Sequence, residues 1–89
     1  MKMRNEDLKK ITVIKLYLLD PPTSFKLYDY ALTYLQDAIG VLSAYPDAKS
    51  IVAYLEELIV QLNNKEIDQS GLRSTLKEAG IKISALTNK

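Results

Sequence analysis

From Phe25 to Tyr45 the apolar residues keep a strict rhythm. Phe25, Tyr28, Leu32, Leu35, Ile39 and Leu42 follow one another at intervals of 3 and 4, the spacing of a heptad seam. Beside them runs a second series, Leu27, Ala31, Tyr34, Ala38, Val41 and Tyr45, at intervals of 4 and 3. On a helix turning 100° per residue the two seams lie roughly 110° apart. A helix with two apolar seams needs a neighbour on each side. The pattern therefore predicts a central helix over residues 24–44, capped by Thr23 or Ser24, with a flanking helix against each seam.

The flanks supply them. Upstream, Leu8, Ile11, Ile14 and Leu18 line one helical face, while Val13, Leu16, Tyr17 and Leu19 spread round the sides. Asn5 is a candidate cap, and Glu6 and Asp7 fall where the helix dipole favours negative charge. The spacing predicts a helix over residues 5–19. The β-branched run Ile11-Thr12-Val13-Ile14 also alternates like a strand, but no other segment offers it a partner. Asp20-Pro21-Pro22 then stops the helix. Downstream, Tyr45-Pro46-Asp47 reads as a tight turn with Asp47 as cap, so an antiparallel hairpin is expected. A third helix follows over 48–62, with Ala48, Val52, Leu55, Ile59 and Leu62 as its seam, Ile51, Tyr54 and Leu58 beside it, and Asn63-Asn64 ending it.

The last quarter predicts a short fourth helix over 69–79. Asp68 caps it, Ile67 and Leu72 are spaced for a hydrophobic staple, and Leu72, Leu76 and Ala79 form its stripe. Gly80 is expected in the left-handed conformation after the last turn, with Ile81 folding back on Leu76. The phrase from Glu66 to Ile81 resembles part of the N-terminal domain of the archaeal and eukaryotic acidic ribosomal stalk proteins, where Glu-Ile, two leucines and Ala-Gly-Ile recur at this spacing. The resemblance implies a capped helix and its turn. The Ala/Gly-rich hinge and acidic tail of that family do not follow, so no function comes with it.

Composition narrows the chemistry. Eighty-nine residues, 47% hydrophobic and 26% charged, suit one small globular domain. A chain of this length buries only about 60–65% of its unfolded surface, so its core is thin. The longest apolar run is too short for a membrane span, and the basic start lacks a small-residue cleavage site. A cytoplasmic protein without a signal peptide is the expectation. With no histidine and no cysteine, the usual zinc sites, thiol nucleophiles and imidazole-based mechanisms fall away. Gly40, Gly71 and Gly80 stand alone, so no glycine-rich phosphate cradle exists. Glu56 and Glu57 point about 100° apart on a helix, and a carboxylate metal site of Asp29, Asp37, Glu56 and Glu57 would be the sole metal candidate. No cofactor, metal or catalytic residue is expected.

Charge and tyrosine carry what functional signal remains. The net charge of +1 averages basic ends with an acidic middle. Six of the seven aromatics are tyrosine, a residue suited to interfaces because an apolar ring ends in a polar tip. Tyr30 lies on the otherwise polar side of the central helix, where no core pattern requires it.

These readings add up to an all-α fold, a small antiparallel three-helix bundle with a short fourth helix near the C-terminus. The expected function is a non-catalytic protein–protein interaction module, a small accessory subunit that docks an apolar helical face onto a larger complex, nucleic-acid-processing assemblies among the candidates. Phe25, Tyr28, Tyr30, Tyr34, Tyr54 and Leu58 are the expected contact residues. One alternative is a small nucleic-acid-binding protein using Lys2, Arg4, Lys9, Lys10, Arg73 and Lys77. The other is a self-associating helical homodimer.

Overall fold

The computed structural model describes residues 2–22 and 26–87, apart from the side chain of residue 69. Among them the chain forms four α-helices and no strand: α1 (Asn5–Leu19), α2 (Leu27–Leu42), α3 (Lys49–Asn63) and α4 (Gln69–Thr87). A 3₁₀ turn, Pro46–Ala48, joins α2 to α3. None of these helices is long and apolar enough to cross a membrane.

The ambiguous first segment is helical throughout. Its inner face is Ile11, Ile14 and Leu18, spaced 3 and 4. The cap expected at Asn5 is absent: Arg4, extended, precedes the helix, Asn5 is already helical, and no side chain caps this end. Neither seam of α2 is buried as a unit; the buried residues form one stripe drawn from both, with Leu32, Tyr34, Ile39 and Val41 partly buried beside it. Leu27, Ala31, Leu35, Ala38 and Leu42 are buried on the strip between α1 and α3, and α2 packs on both. Ala48, Leu55, Leu58 and Leu62 are the buried residues across the turn and α3. Asp47 sits in the turn and caps neither it nor α3; the turn is closed by the Ala48 N–H on the Tyr45 carbonyl at 3.0 Å. The cap expected at Thr23 or Ser24 lies outside the described residues.

The fourth helix departs most from expectation. It is the longest of the four, 19 residues, and runs straight through Gly80 to Thr87. Asp68 does cap it, accepting the Gly71 N–H at 2.8 Å and the Ser70 hydroxyl at 2.9 Å. Yet no described glycine has a positive φ, and Ile81, instead of folding back, is 53% exposed. The reason is that the stripe continues: Leu72, Leu76, Ala79 and Ile83 keep heptad spacing and are all fully buried. Gly80 serves the packing instead. A β-carbon there would stand 2.9 Å from Leu19 Cγ and 3.2 Å from the Leu19 backbone nitrogen. Only glycine lets the end of α1 lie this close to α4, and the α1–α4 pairing is the most extensive in the fold. A helical glycine costs about 1 kcal/mol relative to alanine; the burial of Ile83 alone, worth roughly 1.5–3 kcal/mol, offsets it. Arg73 adds a polar tie by donating to the Pro21 carbonyl at 2.7 Å and, more loosely, to that of Pro22 at 3.4 Å.

The left-handed helix end expected at Gly80 occurs elsewhere. Lys65, with φ 59°, follows the cap residue Asn64 of α3. The Glu66 N–H reaches the Gln61 carbonyl at 2.9 Å and the Lys65 N–H reaches that of Leu62 at 3.1 Å, the paired bonds of a Schellman end. A lysine in this conformation is strained, but its ammonium lies 5.2 Å from the Tyr28 ring centroid, a cation–π contact. Two substitutions separate these opposed effects. Lys65→Gly relieves the backbone and is expected to raise unfolding stability by up to about 1 kcal/mol despite losing the contact. Lys65→Ala keeps the strain and loses the contact, so it lowers stability by about 0.5 kcal/mol. Urea titration of both variants reads the difference; equal values would show that backbone strain is not the deciding effect.

Candidate interaction face

The inward face of α1 is committed to α2 and α4, which sets what its outward face can do. Ile11, Ile14 and Leu18 point inward, so Val13 and Leu16 lie on the far side of the helix. Val13 is 52% exposed and Leu16 60% exposed. Tyr17 is 46% exposed on the side toward α2, where its ring lies nearly parallel to that of Tyr34, centroids 5.1 Å apart and planes 3° apart. Tyr30, one helical turn before Tyr34, also stacks on it, with centroids 6.3 Å apart and planes 26° apart. These separations lie in the range of favourable aromatic contact. The three rings carry the apolar surface of α1 across to α2, and Tyr30 remains 40% exposed. Burial, then the two neighbouring phenols, hold the Tyr34 hydroxyl above the usual tyrosine range, so it stays neutral.

Further along the same helix pair the surface opens into a groove of about 650 Å³. Val13 and Ile14 from α1 face Gly40, Val41 and Ala44 from the other side, while Arg4, Lys10 and Asp37 stand among the lining residues. Its far end is closed by a polar clamp. The Tyr45 hydroxyl accepts the Arg4 backbone N–H at 3.0 Å and donates a short hydrogen bond to Asp7 Oδ2. The same oxygen accepts from Arg4 Nε at 3.1 Å and lies 3.0 Å from its Nη2. Asp7 is the one buried charged residue among those described. The Tyr45 hydrogen bond, and after it Arg4, hold its carboxyl below the usual aspartate range, against partial desolvation.

The expected contact residues do not converge on one site. Tyr30 and Tyr34 belong to the α1–α2 face. Tyr28 is half-buried under Lys65. Tyr54, also half-buried, lines a separate groove of about 330 Å³ with Ile51, Lys82 and Leu86, and the Lys82 ammonium lies 5.0 Å from its ring centroid. Leu58 is a correction: it is buried in the core because the stripe of α3 runs through Leu55, Leu58 and Leu62, so it offers no surface to a partner. Phe25 lies outside the described residues.

The basic residues divide in the same way. Arg4 is bound to Asp7, and Arg73 to the carbonyls of Pro21 and Pro22 with Asp20 at 4.0 Å, whereas Lys2, Lys9, Lys10 and Lys77 are exposed. Asp29, Asp37, Glu56 and Glu57 are exposed, and among the described residues no three potential metal ligands gather. Sequence reasoning missed Val13, Leu16 and Tyr17 as surface residues. The available signal was their place opposite the Ile11–Ile14–Leu18 stripe. Comparison with protein-family models, curated proteins and solved structures finds no match.

The clamp makes a pH prediction. Asp7 and Asp68 are both more acidic folded than unfolded. Their stabilisation is therefore complete above the ordinary aspartate pKa, near pH 4, and is lost as pH falls through their lowered values. Asp7→Asn is expected to melt lower at neutral pH and to show a shallower fall in melting temperature from about pH 4 to pH 2, Asp68 supplying what remains. Parallel melting curves for the two proteins would remove Asp7 from the account. Tyr45→Phe, which strips the hydroxyl that bridges Arg4 and Asp7, is expected to cost about 1 kcal/mol.

Proposed function

We propose that this chain is a non-catalytic interaction module, a small cytoplasmic subunit whose four helices form an antiparallel bundle and whose α1–α2 face docks onto a protein partner. The observation that carries the reading is the exposed apolar surface of Val13, Leu16 and Tyr17, continued through Tyr34 to Tyr30. A chain this small has little apolar surface to spare for water, and a contiguous patch bounded by charged residues is the ordinary mark of a binding surface. Tyrosine rings held rigid by stacking give contact area at small entropic cost. The nucleic-acid reading has less to draw on: both arginines are engaged within the chain, and Asp20, Asp29 and Asp37 lie in the segments that carry this face.

A photo-crosslinking residue placed at position 16 or 30 in the source cell tests the reading. Each is expected to give one discrete protein adduct, while the same residue at exposed Ala53 gives none. Unchanged helical circular dichroism verifies folding. No discrete adduct from 16 and 30, or the same adducts from all three positions, would overturn the docking face.

A further inference from the structure

The residues that α1 turns to solvent have a spacing and a charge order of their own. Lys9, Val13 and Leu16 form a seam on the opposite side of α1 from its core stripe, and Asp20, the non-helical residue that ends α1, continues the 4, 3, 4 spacing; all four are exposed. Read along the helix, the seam is a cation, two apolar residues and an anion. Such a sequence is complementary to its own reverse. Two copies of α1 laid antiparallel about a two-fold axis midway between Val13 and Leu16 set each Val13 against Leu16 of the other copy. The same operation sets each Lys9 beside Asp20 of the other copy, at both ends. Parallel pairing would instead oppose Lys9 to Lys9 and Asp20 to Asp20, which like charge disfavours.

We propose that the docking face is occupied by a second copy of this chain, paired antiparallel through the Lys9–Val13–Leu16–Asp20 seam; this rests on the interaction-module reading above. Asp20 makes the contact by exchanging a long ion pair, since its side chain is 96% exposed and Arg73 stands at 4.0 Å. Tyr17 flanks the seam and extends the apolar surface toward Tyr34 and Tyr30. The seam covers three turns of one helix, so the pairing is weak, on the order of 10–100 µM, and its salt dependence follows the two charge pairs.

Analytical ultracentrifugation of the full chain from about 10 µM to about 1 mM tests this. The expected result is a shift from one-copy to two-copy mass. Lys9→Asp weakens pairing about tenfold, by losing two attractions and gaining two repulsions. Lys9→Asp combined with Asp20→Lys restores it to within about threefold, and Leu16→Asp leaves a folded single copy throughout. A single-copy mass at every concentration overturns the proposal, as does a two-copy mass indifferent to Lys9→Asp and Leu16→Asp. The two readings fail differently. A chain that stays single yet crosslinks a different protein from position 16 loses self-pairing and keeps the docking face; a chain with no adduct there loses both.

Discussion

Of the three glycines, Gly80 leaves the least room for a side chain because Leu19 lies against it, and the orientation of α1 follows from that contact. Because residue 80 has no side chain, the last turn of α1 rests directly on the backbone of α4. That proximity lets Ile11, Ile14 and Leu18 on one side and Leu72, Leu76, Ala79 and Ile83 on the other share a single dry core. Burying large aliphatic side chains at roughly 1.5–3 kcal/mol each is the main driving term available to a chain of 89 residues. Once that face of α1 is fixed inward, helical geometry leaves Val13 and Leu16 no choice but to face out.

The opposite end of α1 is held by different physics. The Tyr45 hydroxyl bridges the Arg4 N–H and the Asp7 carboxylate across 38 residues of sequence, fastening the start of α1 to the end of α2. A hydrogen-bonded clamp of this kind adds less free energy than the apolar contacts, since each such bond nets only about 1 kcal/mol. Its effect is on register: a buried carboxylate left without its partners is costly, so α1 and α2 have one favourable alignment along their length. That alignment brings Tyr17 over Tyr34 and produces the surface on which the functional reading rests.

Much of this was legible in the residues themselves. The apolar spacing marked α2 and α3 as helices with broad apolar faces, though the fully buried stripe of α2 drew on both of its series, and the Asp68 cap could be read from its place before Leu72. The helix ends were less legible. Gly80 looks like a stop because glycine is common after helix ends, but the sequence does not display the Leu19 side chain that requires its absence of a Cβ. Lys65 takes the left-handed position that two adjacent asparagines advertised, because the hydrogen bonds to Gln61 and Leu62 fix which residue follows the cap. Asp7 reads as ordinary first-turn charge until Tyr45 arrives from a distant segment. The candidate face was partly visible for the same reason. Tyr30 stood out on a polar side of its own helix, whereas Leu58 fitted either face until packing decided, and Val13 and Leu16 became surface residues only when the other side of α1 proved to be the core.

The measurement that bears most directly on this arrangement is a double-mutant cycle between Gly80→Ala and Leu19→Ala, read by urea unfolding. An alanine in a helix interior gains about 1 kcal/mol over glycine, yet here its Cβ collides with Leu19. Gly80→Ala alone is expected to destabilise the protein by about 1–3 kcal/mol. In the Leu19→Ala background the clashing carbons are gone and only the backbone nitrogen at 3.2 Å remains, so the same change costs clearly less. Stabilisation in both backgrounds would mean that α1 and α4 do not meet at this point. Equal destabilisation in both would mean that the Leu19 side chain is not what bars a β-carbon at residue 80, and that the packing which turns Val13 and Leu16 outward has to be sought elsewhere.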